Sequence, residues 1–400
     1  MNEWKTAPLG EITSFMSKGI APVYTDERTE GVVVVLNQKC NRNFSISFEE
    51  SRLHDATIKR VPNDRILLPG DVLINSTGAG TAGRVAQIWN VPSRTTVDGH
   101  MIILRCTDSV DPLYYGYALK LHQSQIESLA EGSTGQTEIN RKRLCDEVLI
   151  SYPTDISLQR KIARTLAALD EKIEANRAIN DNLQQQAYAY FLQLFVENAN
   201  PSWRVGTIAD LGTVVGGGTP SKTKPEYYTE DGIAWITPKD LSSDKSKFIA
   251  HGENDISELG YRNSSATMMP AGTVLFSSRA PIGYIAIASN EVTTNQGFKS
   301  VVPHYEIGTP FVYYFLIHNL PLIESKASGS TFKEVSGSVM KSVEAVIPDD
   351  DTIAKFNDFC RPVFEMQKNL EHENRNLAVM RDSLLPRLMN GEINVEDIET

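Results

Sequence analysis

Two stretches early in the chain carry side chains suited to gripping a polyanion. Lys39-Cys40-Asn41-Arg42-Asn43 places Lys39, Asn41 and Arg42 on a turn signal, with Arg52, Lys59, Arg60 and Arg65 following. Thr77-Gly78-Ala79-Gly80-Thr81-Ala82-Gly83-Arg84 is small and Gly-rich. Its glycines let backbone approach a phosphate, and Thr77 and Arg84 add a hydroxyl and a guanidinium. Much later, Ser277-Ser278-Arg279-Ala280-Pro281 repeats the idea with Ser278 and Arg279. Gln136, Arg141, Lys142 and Arg143 lie just beyond Gly132-Ser133-Thr134, and Thr331 and Lys333 hold the matching place at Gly329-Ser330-Thr331. Lys239 and Lys299 stand in two further polar loops, Trp235–Leu241 and Thr294–Lys299. Lys and Arg neutralise phosphates, while Arg, Lys, Asn, Gln, Ser and Thr reach base edges. This is contact chemistry rather than bond-making chemistry.

Motifs for catalysis are not apparent. No Asn/Asp-Pro-Pro-Tyr/Phe element and no Gly-x-Gly-x-x-Gly following a strand is present. Gly216-Gly217-Gly218-Thr219-Pro220-Ser221-Lys222 ends in Lys, but Pro220 interrupts it, so it reads as a turn rather than a phosphate-binding loop. Asp349, Asp350 and Asp351 precede a helical pattern, where carboxylates favour the positive N-terminal end. The seven His are dispersed, and the four Cys form no Cys-x-x-Cys, so no metal framework is expected. Scattered thiols, no apolar leader and no run of 18 apolar residues fit a cytoplasmic protein. A net charge of −11 argues against a general polyanion binder and confines any such contact to a local surface.

These loops need elements to hold them. From about Leu158 to Leu194 the chain has no Pro or Gly. Ile162, Leu169, Asn176, Leu183 and Tyr190 recur every seven residues, and Leu166, Ile173, Asn180, Ala187 and Leu194 do so four places on. The spacing predicts a helix of roughly 37 residues, about 55 Å long, whose seam needs a partner. Phe356, Val363, Leu370, Leu377 and Leu384 offer one near the C-terminus. Asp155 or Ser157 is the expected N-cap of the first helix. Asn176 and Asn180 either fix register within the seam or face solvent. Ala163, Ala167, Tyr188, Phe191, Phe195, Leu385 and Leu388 are expected on an outer face covered by partners.

Before the first helix, strands are expected at Val32–Asn37, Asp71–Asn75, Arg84–Trp89, His100–Arg105 and Glu147–Tyr152, with a helix at Pro112–Glu127. The pattern then restarts after Pro201 with a period of about 200 residues. Trp4-Lys5 answers to Trp203-Arg204, Leu68-Pro69-Gly70-Asp71 to Met269-Pro270-Ala271-Gly272-Thr273, Thr95–Gly99 to Thr293–Gly297, and Asn176-Arg177 to Asn374-Arg375. The expectation is an α/β (α+β) chain with two tandem-repeated domains. A long antiparallel two-helix coiled-coil rod separates them, with pseudo-twofold symmetry. The boundaries are 1–155 for the first domain, 156–197 for the central helix, 198–350 for the second domain, and 351–400 for the C-terminal helix and tail.

The run Leu377–Ile393, with Arg381-Asp382-Ser383-Leu384-Leu385-Pro386-Arg387-Leu388, resembles the C-terminal conserved region of the DNA-specificity subunits of type I restriction–modification systems. Leu169-Asp170-Glu171-Lys172-Ile173-Glu174 with Asn176-Arg177 resembles their central conserved region. Gly216–Ser221, Trp235–Leu241, Ser278–Gly283, Thr294–Lys299 and Gly329–Glu334 resemble segments of their target-recognition domains. The first domain departs from this, with Val35-Leu36-Asn37-Gln38-Lys39 where a Trp-Ile-x-Pro-x-Asp-Leu pattern is expected. The resemblance implies a non-catalytic reader of double-stranded DNA, each domain taking half of a split target and the rod setting the gap. It also implies two modification (methyltransferase) subunits that carry S-adenosylmethionine, and restriction (endonuclease/translocase) subunits that use ATP and Mg. No cofactor is expected on this chain. The alternative is a scaffold with two β-rich modules on a coiled-coil spacer that binds no nucleic acid.

Overall fold

The computed structural model describes residues 3–27, 30–132, 137–279, 281–329 and 333–397. The chain forms two compact units. One contains residues 1–172 and 377–400, and the other contains 173–376.

In unit one, four antiparallel strands run in the order Thr13–Lys18, Met101–Cys106, Val72–Asn75, Val85–Gln87. The Met101-Ile102-Ile103-Leu104 run is apolar without alternation because both faces of this sheet are covered. Ile102 and Leu104 pack with Val72, Ile74 and the tyrosines of the helix Pro112–Leu121. Met101 and Ile103 point the other way, into a cluster with Leu36, Leu73 and Val97. That second cluster is closed by a smaller sheet, ordered Thr95–Val97, Val32–Leu36, Arg52–Asp55, Tyr24–Thr25. Its first two strands are parallel, with Thr96 opposite Val35 and Val97 opposite Leu36. The predicted strands are present within a residue or two. The predicted helix at Pro112–Glu127 is broken at His122 into Pro112–Leu121 and Gln123–Ser128.

Unit two repeats this plan. Its main sheet runs Gly212–Gly216, Lys299–Pro303, Val274–Ser278, Ile282–Ala288, and then adds an edge strand, Phe248–Ile249, parallel to its neighbour. The smaller sheet runs Tyr228–Thr229, Asn254–Ile256, Ile233–Ile236, Thr293–Thr294, again with one parallel pair. Val274 and Phe276 face the helical core, and Leu275 and Phe298 face the smaller sheet.

The central helix spans Ile156–Leu192, 37 residues, and the C-terminal helix spans Asp350–Met389. Asp155 caps the first: its carboxylate accepts the Ser157 N–H at 2.8 Å. Asp349 caps the second, accepting the Thr352 N–H at 2.9 Å. That bond comes first, and a hydrogen bond from Trp203 second, in holding its carboxyl below the usual range. Within each unit the two helices run antiparallel. In unit one Arg381 reaches Asp170 at 2.5 Å and Lys161 reaches Glu396 at 3.1 Å. In unit two Asn176 is fully buried, and its Nδ2 donates to Glu373 at 2.8 Å and to Asn374 at 2.9 Å. Asn176 therefore sits in the seam, the register-setting one of its two readings.

The expected outer face needs correction. Ala163, Leu385 and Leu388 are buried in the core of unit one, and Phe191 in that of unit two. Each long helix thus uses a second stripe to complete the core of its own unit. The exposed large apolar side chains of the C-terminal helix are Phe359, Met366, Val379 and Met380.

Candidate nucleic-acid interface

In unit one the Lys39–Asn43 loop, and in unit two the Lys239 and Thr294–Lys299 loops, leave the C-terminal ends of the parallel strand pair, whereas Thr77 and Arg279 follow the main-sheet strands Val72–Asn75 and Val274–Ser278. In unit two, Ile236 leads into Thr237, which caps the short helix Pro238–Ser243 by exchanging hydrogen bonds with Asp240. The cap leaves Lys239 exposed, with Nζ 2.5 Å from Glu253. That contact holds the Lys239 ammonium above its ordinary pKa. Just past the adjacent strand stands Asn295, whose side chain accepts the Gly297 N–H at 2.8 Å and whose own N–H donates to Ile236 O at 3.0 Å. This turn displays Gln296.

The Gly216–Lys222 stretch packs against the same turn. A Cβ on Gly217 would lie 2.0 Å from Asn295 O, so only glycine allows the approach. Gly218 N–H donates to Thr294 O at 2.8 Å, Trp235 Nε1 donates to Gly218 O at 2.9 Å, and Thr219 hydrogen-bonds Gln296. The glycines buttress a loop, in keeping with their reading as a turn.

Ser278 is fully buried and donates to Gly297 O at 3.0 Å, so it supports the turn and offers no atom to a ligand. Its neighbour Arg279 bridges to Glu334, with guanidinium and carboxylate 3.5 Å apart. Lys299 approaches the same carboxylate at 3.5 Å. Lys333, next in sequence to Glu334, is exposed. Arg279 and Lys299 thus gather around one acid. Thr331 lies outside the described residues.

Unit one builds the same corner from other side chains. Asp98 N–H donates to Leu36 O at 2.9 Å, and Asp98 accepts the His100 N–H at 2.9 Å, so Asp98 matches Asn295. The alignment read from sequence is therefore off by one residue here, and Gly99 holds the place of Gln296. Burial raises the Asp98 carboxyl above its usual range, against the pull of the His100 N–H. Thr77 takes the place of Arg279: it bridges to Glu138, and its hydroxyl bonds His100 Nδ1 at 2.8 Å. Glu138 is paired with Lys18, which sequence reading overlooked because Lys18 lies on a distant strand.

Lys39 and Arg42 are exposed. Arg42 starts a hairpin in which Asn43 and Phe44 both have positive φ, 52° and 61°, as a two-residue hairpin turn demands. Asn41 is a correction. It is fully buried and its Nδ2 donates to Arg84 O at 2.9 Å and Asn75 Oδ1 at 3.1 Å, tying the two loops together. Arg84 folds back on Gly80 O at 3.1 Å. Arg141 and Lys142 are exposed in the first turn of Arg141–Glu147. Arg143 is committed elsewhere, forked between Glu147 and Glu131 at 2.6 Å each. These bonds raise its pKa, Glu147 contributing most, and lower those of both acids. Gln136 lies outside the described residues. Among the described residues no His/Cys/Asp/Glu group could hold a metal ion, and no helix is long and apolar enough to cross a membrane.

Residues 1–185 and 200–372 each match the family model described as the type I restriction modification DNA specificity domain. The type I restriction enzyme MjaIX specificity subunit of Methanocaldococcus jannaschii is 42% identical over 151 residues, 37% of this chain and 35% of that protein. The HindI specificity subunit of Haemophilus influenzae is 23% identical over 473 aligned positions, covering 98% of this chain and all of that one. The chain thus aligns with about a third of the first relative and the full length of the second. A solved S subunit of a type I restriction-modification system from M. genitalium shares the fold, with a TM-score of 0.59 and 18% identity over 97% of this chain and 96% of that one.

Proposed function

The chain belongs to the type I restriction modification DNA specificity family, as a specificity subunit with two DNA-recognition domains, and on that premise we propose how it divides the reading. Domain 1–155 takes one half of a bipartite target, and domain 198–350 takes the other. The loops gathered around the C-terminal end of each parallel strand pair face the duplex. In the first domain Lys39, Arg42, Thr77, Arg84, Arg141 and Lys142 make the contacts. In the second, Lys239, Arg279, Gln296, Lys299 and Lys333 make them. Asn41 and Ser278 hold those loops in place. The carrying observation is that both units bring these separate loops to one corner of the same scaffold, with different side chains on show. A scaffold that binds no nucleic acid is not favoured.

The paired helices set the spacing between the half-sites and dock two methyltransferase subunits, with restriction subunits joining that core in the cytoplasm. The chemistry belongs to those partners, and this chain supplies the address. The test is a methylome comparison with residues 1–155 exchanged for the first domain of another family member. One half-site should change and the other remain. If both half-sites change together, the division proposed here is wrong. A seven-residue insertion between Ile173 and Leu183 should lengthen the gap, and an unaltered gap would remove the spacing role.

A further inference from the structure

Unit one contains a cavity of about 430 Å³ at the opposite end of its smaller sheet from the loops above. It opens where the strand Val32–Leu36 begins, whereas those loops follow its end, about 13 Å away at 3.3 Å per residue. Val33 and Val61, both buried, form an apolar floor. Arg60, Arg94, Asn63 and Thr57 form a polar rim. Arg60 and Arg94 are exposed and form no ion pair among the described residues. Arg94 only touches Asn63 Oδ1, at 3.4 Å. The nearby carboxylate of Asp55 is spent on the Thr57 N–H and hydroxyl. Two uncompensated guanidiniums on one hollow are unusual in a chain with a net charge of −11. Unit two lacks this pairing. Strand register puts Glu291 where unit one has Arg94, and the Arg60 counterpart, Arg262, leans on Glu258 at 3.6 Å.

We propose that this cavity binds a small phosphorylated ligand of the nucleotide class. Arg60 and Arg94 clasp the phosphoryl group in forked, charge-assisted hydrogen bonds, and the valine floor takes the ring. The volume lies within the range of small-ligand pockets and exceeds what a bare phosphate needs. This reading does not depend on the proposed DNA contacts.

The test titrates the full chain with adenosine monophosphate and with inorganic phosphate, followed by ligand-observed NMR and calorimetry. Saturable binding of the nucleotide, tighter than that of phosphate, is expected. Arg60→Ala with Arg94→Glu should weaken it ten-fold or more while the thermal unfolding midpoint stays unchanged. Arg60→Lys with Arg94→Lys should give an intermediate loss, because the charge is kept and the fork is not. Absence of saturable nucleotide binding to the native chain would overturn the proposal, as would binding undiminished in the double variant. Loss of DNA affinity without any nucleotide binding would assign the arginines to duplex backbone instead.

Discussion

Glu138 in unit one and Glu334 in unit two occupy the same corner of the same scaffold, yet lysines from different strands neutralise them. In unit one the lysine is Lys18, on the edge strand opposite Ile102. In unit two the edge position is Gly216, and the lysine has moved across the pair to Lys299. Each acid keeps a lysine partner while the position of that lysine shifts by one strand. Nearby, Thr77 is replaced by Arg279 and Gly99 by Gln296. The lesson is that the scaffold keeps a lysine beside this acid and leaves open which strand supplies it and which other side chains project from the corner.

The largest effect expected from pressing this comparison is on the frame beneath the corner. Asp71 is buried and holds Arg105 in two bonds of 2.8 and 2.9 Å. Its counterpart, Thr273, makes only a local bond to Pro270 O. Asp71→Ala should cost unit one about 3 kcal/mol by stranding a partly buried guanidinium, and Thr273→Ala should cost unit two about 1 kcal/mol. Hydrogen exchange resolved by unit would show this, and equal losses would mean the two frames are not built differently.

Next is base discrimination. Gln296→Ala should relax specificity at one position of the second half-site by about 1–3 kcal/mol, with the first half-site untouched. Competition binding with single-base variants measures it. An effect on the first half-site would break the separation of the two corners.

A smaller contrast is pH-dependent. Each unit holds a lysine over aromatic rings beside a long helix. Lys120 keeps a carboxylate partner, Asp170, at 3.5 Å. Lys247 instead bonds neutral Gln367 at 2.7 Å and Tyr314 at 3.2 Å, with Phe364 beneath it. Burial lowers its pKa to about 7, although the Glu371 carboxylate opposes the shift. The folded value lies below the unfolded one, so unfolding takes up a proton above pH 7. Unit two should therefore gain about 1 kcal/mol per pH unit between pH 7 and 8.5, and Lys247→Met should abolish the slope. Urea titrations at three pH values test this, and a slope that survives in the variant points to another group.

The smallest effect is on salt dependence. Arg279→Ala should flatten the slope of log affinity against log salt by about 0.9, and Thr77→Arg should steepen it by the same amount if the corners are equivalent.

Much of this frame was legible beforehand. The heptads of the central helix and the carboxylates of Asp155 and Asp349 placed the long helices, because periodicity and capping are local. Repeat matching found the second unit for the same reason. The corner was less legible. Asn41 and Ser278 are polar and lie in loops, yet they are buried, since the backbone carbonyls they serve come from residues far away in sequence. Lys18 and Gln296 were missed because their roles exist only once strand register is known. His122 breaks a helix whose apolar pattern continues, and the pattern carries no sign of it.

Asn176 and Asn374 are counterparts in the internal repeat, and they bond each other. Most duplicated positions can drift apart separately, each answering only to its own surroundings. Here a residue's surroundings include its own duplicate. A change at one position alters the environment of the other, so the two copies of the ancestral sequence remain coupled in their evolution at this point. The recognition corners have no such tie and are free to diverge. The oldest similarity between the halves should therefore persist longest in the helices, and target specificity should change fastest in the loops.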